Sequence, residues 1–391
     1  MSGPSVVVLG MMGRAPFAGV AWQVLHYVEG LRRLGCEVHY VEDTGDWPYD
    51  PERNAITDEP TYTVGYIDRT LGFLPEPVSW AYVGPANDVF GMSRGDLLAV
   101  LRRADALLNL TGATVLEEEH LRVPVRIYLE TDPVLPQIEV AQGRQFTIDL
   151  LAAHTHHFSY GERLGTPGCA VPVERFTYIP TRQPVVLDWW APSDPAGAAP
   201  QRPYTTIGSW RQAGKDVEWQ GETYTWSKHH EFLKFLDLPE RTGEDFELAL
   251  AIDDDEDEQL LRSHGWSLLD GLALSREIGS YRDYLRGSRG EFTVAKDQNV
   301  RLGTGWFSDR SACYLAAGRP VATQDTGFGD VLPTGRGLLR FRTLDEAVAA
   351  IAEIEADYTA HAAAAAEIAA EHFAAEAVLG RMLAAAGIAA A

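Results

Sequence analysis

Cysteine is scarce in this chain of 391 residues: Cys36, Cys169 and Cys313 are its complement. They are odd in number, far apart and form no CxxC. That argues against a disulfide framework and a zinc site, and predicts a reducing, cytoplasmic compartment. Positive charge is scarce too, with 33 Lys+Arg against 56 Asp+Glu and a formal net charge of -23. A chain this acidic repels phosphate backbones and anionic lipid heads, so neither a nucleic-acid nor a membrane partner is expected. No apolar stretch is long enough to span a bilayer, and MSGPSVVVLG lacks the basic start of a signal peptide. The dinucleotide fingerprint GxGxxG and the zinc motif HExxH are absent.

What is present suits two α/β domains. Hydrophobic residues make up 46% and aromatics 10%. Val6–Leu9 reads as a buried parallel strand, followed by GMMGRAPFAG, a helix over 20–34 and a strand over 37–43. The glycines admit two readings: a tight strand-to-helix turn, or a loop that lets a ligand approach the helix start. On the second, Gly13 and Gly19 are acceptor-side candidates. Residues 44–90 read as a surface insertion with one short helix. The strand over 124–133 ends in Glu130, Thr131 and Asp132, which either cap a turn or point into a cleft. Strand alternation puts His154 and His156 on one face and His157 on the other, with no metal expected. APSDPAGAAPQRP, residues 191–203, is a linker by composition. It separates a first domain, 1–190, from a second, 204–370, leaving a helical tail over 371–391.

In the second half, polar turns close several strands. Arg211 follows one strand, and Lys228 lies at the start of a helix read over 227–239 with Ser227 as its cap. Asp253–Asp255 reads as a helix N-terminus rather than a metal-binding DxD, so no metal is expected. Gly208 ends a strand, Ser308 stands before a helix, and Thr326 and Gly327 form a tight turn whose N–H groups could hold phosphate oxygens. Glu291, Asp309 and Asp325 could accept from ribose or sugar hydroxyls. Each also has a plain reading: Asp309 and Arg310 pair on the surface, Ser308 is only a cap, and Glu291 ends a strand in solvent.

SRGEFTVAK, GWFSDRSACYLAAGRPV, QDTGF and LPTGRGLL resemble the donor domain of GT-B glycosyltransferases, with GT4-like bacterial enzymes the nearest look. The resemblance implies two Rossmann-like domains facing across a cleft. The tail would pack back on the first domain. It further implies metal-independent transfer of a sugar from a nucleotide-diphosphate donor to a small-molecule acceptor, with natural-product biosynthesis as one setting. The donor would be held by Gly208, Arg211, Lys228, Glu291, Ser308, Asp309, Arg310, Thr326 and Gly327. Arg211 and Lys228 would take the place of the family's diphosphate-binding Arg/Lys pair. The WQVLHYVEGLRRLG helix would contribute His26, and His26 or Asp132 would be the catalytic base. The family's glutamates in E-x7-E are absent; Glu291 and Asp309 stand in that region. No cofactor beyond the donor is implied, and a homodimer is compatible. The alternatives are a GT-B sugar-nucleotide epimerase and a non-catalytic nucleotide-sugar binding protein.

Overall fold

A computed structural model describes residues 3–191 and 202–389. Most of the linker expected over 191–203 therefore lies outside the described residues. The first sheet has eight strands, in the order Ile179–Pro180, His156–Ser159, Val125–Glu130, Ala106–Leu110, Ser5–Leu9, Glu37–Glu42, Ser79–Val83 and Val89–Gly91. All its pairings are parallel except the last, which is antiparallel. The second sheet is wholly parallel: Ser267–Asp270, Phe246–Ala251, Tyr204–Ser209, Gly290–Thr293, Val321–Gln324 and Leu338–Phe341. Helices cover both sheets, which is why Val7, Val8 and Leu9 are 0% exposed and the strand reads as an unbroken apolar run.

The helix Ala18–Arg33 follows the first strand. Arg32 and Arg33 in its last turn complement its dipole, and Gly35, at φ 81°, takes the left-handed turn out of it. Gly30 on this helix is a close-approach position, because an added Cβ would lie 2.6 Å from Leu379 and 2.9 Å from Ala375. The helix Ala375–Ala385 thus rests on the first domain. Its entry is pinned by Val185 N–H to the Phe373 carbonyl (2.7 Å) and Ala375 N–H to the Val185 carbonyl (2.9 Å). The second domain has an aromatic core in which Phe292 stacks on Phe341 with centroids 5.2 Å apart. A larger apolar core runs across both domains, and the Trp22 indole N–H bonds the Ile278 carbonyl at 3.0 Å.

Three local expectations change. The 44–90 region is more ordered than an insertion: it holds the helix Thr61–Leu71 and the strands Ser79–Val83 and Val89–Gly91 that complete the first sheet. An edge hairpin needs little apolar periodicity because only one side of it pairs. Ser227 is not a helix cap. It accepts from Gln212 N–H and donates to the Trp210 carbonyl, and the helix His229–Phe232 starts after Lys228. His154 lies ahead of its strand, so alternation does not govern it. Its ring and that of His157 are both buried, 6.4 Å apart.

Candidate functional site

In an open parallel sheet, ligands bind outside the carboxyl ends of the strands where the strand order reverses. Ser5–Leu9 and Tyr204–Ser209 are the reversal points of the two sheets, each flanked by strands that follow it in sequence. A cavity of about 400 Å³ lies between them. Phe17, Gly19, Val20 and Gln23 from the first loop and helix line it, with Thr111 and Thr131 beyond the next strands. The second domain supplies Gly208, Ser209, Gly271, Tyr281, Ser308, Asp309 and Arg310.

Arg310 is fixed by three acceptors: Glu291 Oε1 at 2.6 Å, the Ile207 carbonyl at 2.6 Å and Thr293 Oγ1 at 2.8 Å. Glu291 is fully buried, so its carboxylate positions the guanidinium from behind. Lys228 is half-buried, and its side-chain amine makes no hydrogen bond or ion pair among the described residues. Its ammonium lies 5.4 Å from the centre of the Trp306 ring. Burial, followed by the charges of Arg310 and Lys296, pushes its pKa down to about 7. Lys296 starts the helix Asp297–Leu302 and pairs with both oxygens of Asp132, at 2.6 and 2.7 Å. Its ammonium sits 3.0 Å from the centre of the Trp226 ring, and burial holds its pKa at about 8 despite Asp132. Three cations thus gather beside one cleft in a chain that is strongly acidic overall, a pattern suited to a phosphorylated ligand.

Asp309 opens the helix Asp309–Ala316 and faces the cavity. Burial raises its pKa to about 6, against the hydrogen bonds of Gln23 and Tyr160, while the charge of Asp132 adds to the rise. At neutral pH it is a carboxylate able to take a proton. Nearby backbone is strained: Thr111, a β-branched residue, sits at φ 60° at the cavity wall, and Val134 at φ 104° closes the turn after Asp132. Glu130 anchors that turn. It is buried, its pKa is pushed up to about 8 by burial, and it accepts from Gln137, whose Oε1 takes the Val134 N–H at 2.7 Å.

Of the donor-side expectations, Gly208, Ser308, Asp309 and Arg310 line the cavity, Lys228 does not line it but feels the charge of Arg310, and Glu291 stands behind Arg310. Asp309 and Arg310 do not pair on the surface, because helix geometry sends one side chain to the cleft and the other to Glu291. Arg211 does not line the cavity: it is exposed and makes a bidentate pair with Asp257. Thr326 and Gly327 do not offer their turn either. The Gly327 N–H donates to Asp325, Thr326 bonds the Trp306 carbonyl, and the space a Cβ at Gly327 would need is filled by Arg163 of the first domain. Asp325 itself is buried and paired with Arg342.

On the acceptor side Gly19 lines the cavity and Gly13 does not. The amides of Gly13 and Arg14 donate to the buried Glu42 carboxyl group, so the glycine loop's donors are already taken by a side chain of its own chain. His26 is buried beside the cleft, with one ring nitrogen 3.0 Å from Val186 N–H and the other 3.0 Å from the Trp190 indole nitrogen. Its pKa is pushed down to about 3 by burial, both ring nitrogens face groups of its own domain, and it does not line the cavity. Asp132 has both oxygens engaged by Lys296. Phe17, Gln23, Thr111, Tyr281 and Lys296 escaped the sequence reading. Lys296 was findable as a lysine between a strand end and a helix start; the others carry no local signal.

Two Rossmann-like domains facing across a cleft, with the chain's last helix returned to the first domain, define the GT-B fold. No family model and no curated protein matches the chain. Solved structures do match it. AviGT4, a glycosyltransferase involved in avilamycin A biosynthesis, is 12% identical with a TM-score of 0.55, covering 98% of this chain and 97% of its own. An alpha-glucosyltransferase in complex with UDP-glucose and DNA is 12% identical at a TM-score of 0.59, over 99% and 100%. HepE from Anabaena, in complex with UDP and glucose, is 9% identical at 0.53, over 98% and 99%. At these identities the likeness is one of fold.

Proposed function

We propose that this protein transfers a glycosyl group from a nucleoside-diphosphate sugar to a small-molecule acceptor. One observation carries the reading: Lys228, whose amine has no ionic partner among the described residues, lies within electrostatic reach of Arg310, which lines the interdomain cleft. Glycosyl transfer breaks the bond from the anomeric carbon to the diphosphate, and the leaving group departs with growing negative charge. Lys228, Arg310 and Lys296 supply counter-charge, and we assign the diphosphate to them without a requirement for a divalent ion. UDP is the nucleotide we favour, because the alpha-glucosyltransferase and HepE of the same fold are described with UDP. Asp309 is the cavity carboxylate placed to take the acceptor's proton, in the role the sequence had suggested for His26 or Asp132. The net charge of -23 favours a small acceptor over a nucleic acid.

The test is a thermal-shift panel of nucleoside-diphosphate sugars, followed by measurement of nucleoside-diphosphate release with and without EDTA. Stabilisation by a UDP-sugar and EDTA-resistant turnover are expected. Absence of a shift with every donor sinks the proposal. Donor binding with neither release nor transfer would turn it into a binding protein.

A further inference from the structure

The cavity wall contributed by the first domain has a composition of its own. Phe17 is its one aromatic ring, half-buried and backed by Tyr49 with centroids 5.7 Å apart. Around it stand uncharged polar groups: Gln23, Thr111 and Thr131. The Thr131 hydroxyl makes no hydrogen bond among the described residues, and that of Thr111 has only the Met11 sulfur, at 3.5 Å. The Gln23 amide reaches Asp309 only at 3.4 Å, and its carbonyl oxygen makes no hydrogen bond among the described residues. Hydroxyls and amides with open capacity recognise groups that both donate and accept. Thr111 also holds its place at φ 60°, a conformation a β-branched residue keeps only where the surroundings enforce it.

We infer that the acceptor is a neutral carbohydrate, one ring of which lies with its C–H face on Phe17 while Gln23, Thr111 and Thr131 read its hydroxyls. This rests on the glycosyl-transfer reading above and names its acceptor class. An aromatic face for the apolar side of a ring, rimmed by neutral hydrogen-bonding groups, matches the two-sided chemistry of a sugar. An anionic acceptor would meet the carboxylate of Asp309. A large planar aglycone would leave the three polar groups without partners, since 400 Å³ must also admit the donor. In the transfer, an acceptor hydroxyl oxygen forms the bond to the anomeric carbon. The bond from that carbon to the diphosphate oxygen breaks, its electron pair leaves with the nucleoside diphosphate, and the hydroxyl proton passes to Asp309.

The experiment is an acceptor array of neutral mono- and disaccharides, sugar acids, phenols and amines, run with the UDP-sugar that stabilises the protein. Transfer to neutral sugars is expected. Phe17→Ala is expected to raise the acceptor KM by about tenfold more than the donor KM, the size of one lost ring contact, with Phe17→Tyr restoring it. Thr131→Val should raise the acceptor KM in the same direction. Donor hydrolysis with transfer only to phenols or amines overturns this inference and leaves the glycosyl-transfer reading standing. An acceptor KM indifferent to Phe17→Ala does the same. Absence of donor binding overturns both.

Discussion

Lys296 of the second domain and Asp132 of the first meet across the cleft, the ammonium 2.6 Å from one carboxylate oxygen and 2.7 Å from the other. The pair joins the turn after a strand of one sheet to the helix start after a strand of the other. A residue so engaged is a strut between domains. Asp132→Asn is therefore expected to lower stability by about 1 kcal/mol in urea unfolding and to keep kcat within about tenfold, since we assign the base role to Asp309. A loss of kcat of a thousandfold would return the base role to Asp132.

Asp309→Asn is expected to lower kcat by about a hundredfold or more with little change in donor affinity. For the native protein, kcat/KM should rise with pH through about 6, where the carboxyl ionises. The stability linkage has the opposite sign. The folded pKa exceeds that of the unfolded chain, so the folded state holds more protons from about pH 4 to about pH 6 and stability falls as pH rises across that window. A flat pH–rate profile on the acid side would remove Asp309 from the chemistry.

Lys228 carries its charge below about pH 7 and loses it above. Donor affinity, measured by calorimetry, should weaken as pH is raised from about 6 to about 9, and Lys228→Gln should abolish that dependence along with most of the binding. Because the folded pKa lies below the unfolded one, the donor-free protein gains stability as pH rises from about 7 to about 10. Lys228→Met should raise the Tm at pH 6 while losing donor.

Arg211→Ala separates the two cationic candidates. With its guanidinium held by Asp257 at an exposed site, the change should leave donor affinity within about twofold and stability little changed. Arg310→Ala should weaken the donor severely, since it also leaves Glu291 buried without its partner. Equal effects of the two would place Arg211 back at the ligand.

Gly327→Ala tests the slot for Arg163. Gly303, Gly305 and Gly327 all lie at positive φ, and a Cβ at any of them would press on Arg163 or the Gly168 backbone. Destabilisation of about 1–3 kcal/mol is expected from the left-handed backbone alone, read in denaturant melts.

Local patterns in the sequence were enough for many of the single elements, while the facing domains and the returning tail were implied by the resemblance. Val6–Leu9, the helix that begins at Ala18 and the run around Asp309–Gly318 carry periods and end signals that belong to single elements, so each is legible without its neighbours. Gly208, Ser308, Asp309 and Arg310 were legible in the same way, as polar residues at strand and helix ends. The roles of individual side chains were set by partners far away in the chain. His26 faces Val186 and Trp190, Gly327 makes room for Arg163, and the glycine loop is filled by Glu42. No local pattern encodes those meetings, because burial and a partner's charge decide whether a base, a cation or a turn stays free for a ligand. Secondary structure follows from neighbours along the chain, whereas the availability of a functional group follows from its neighbours in space.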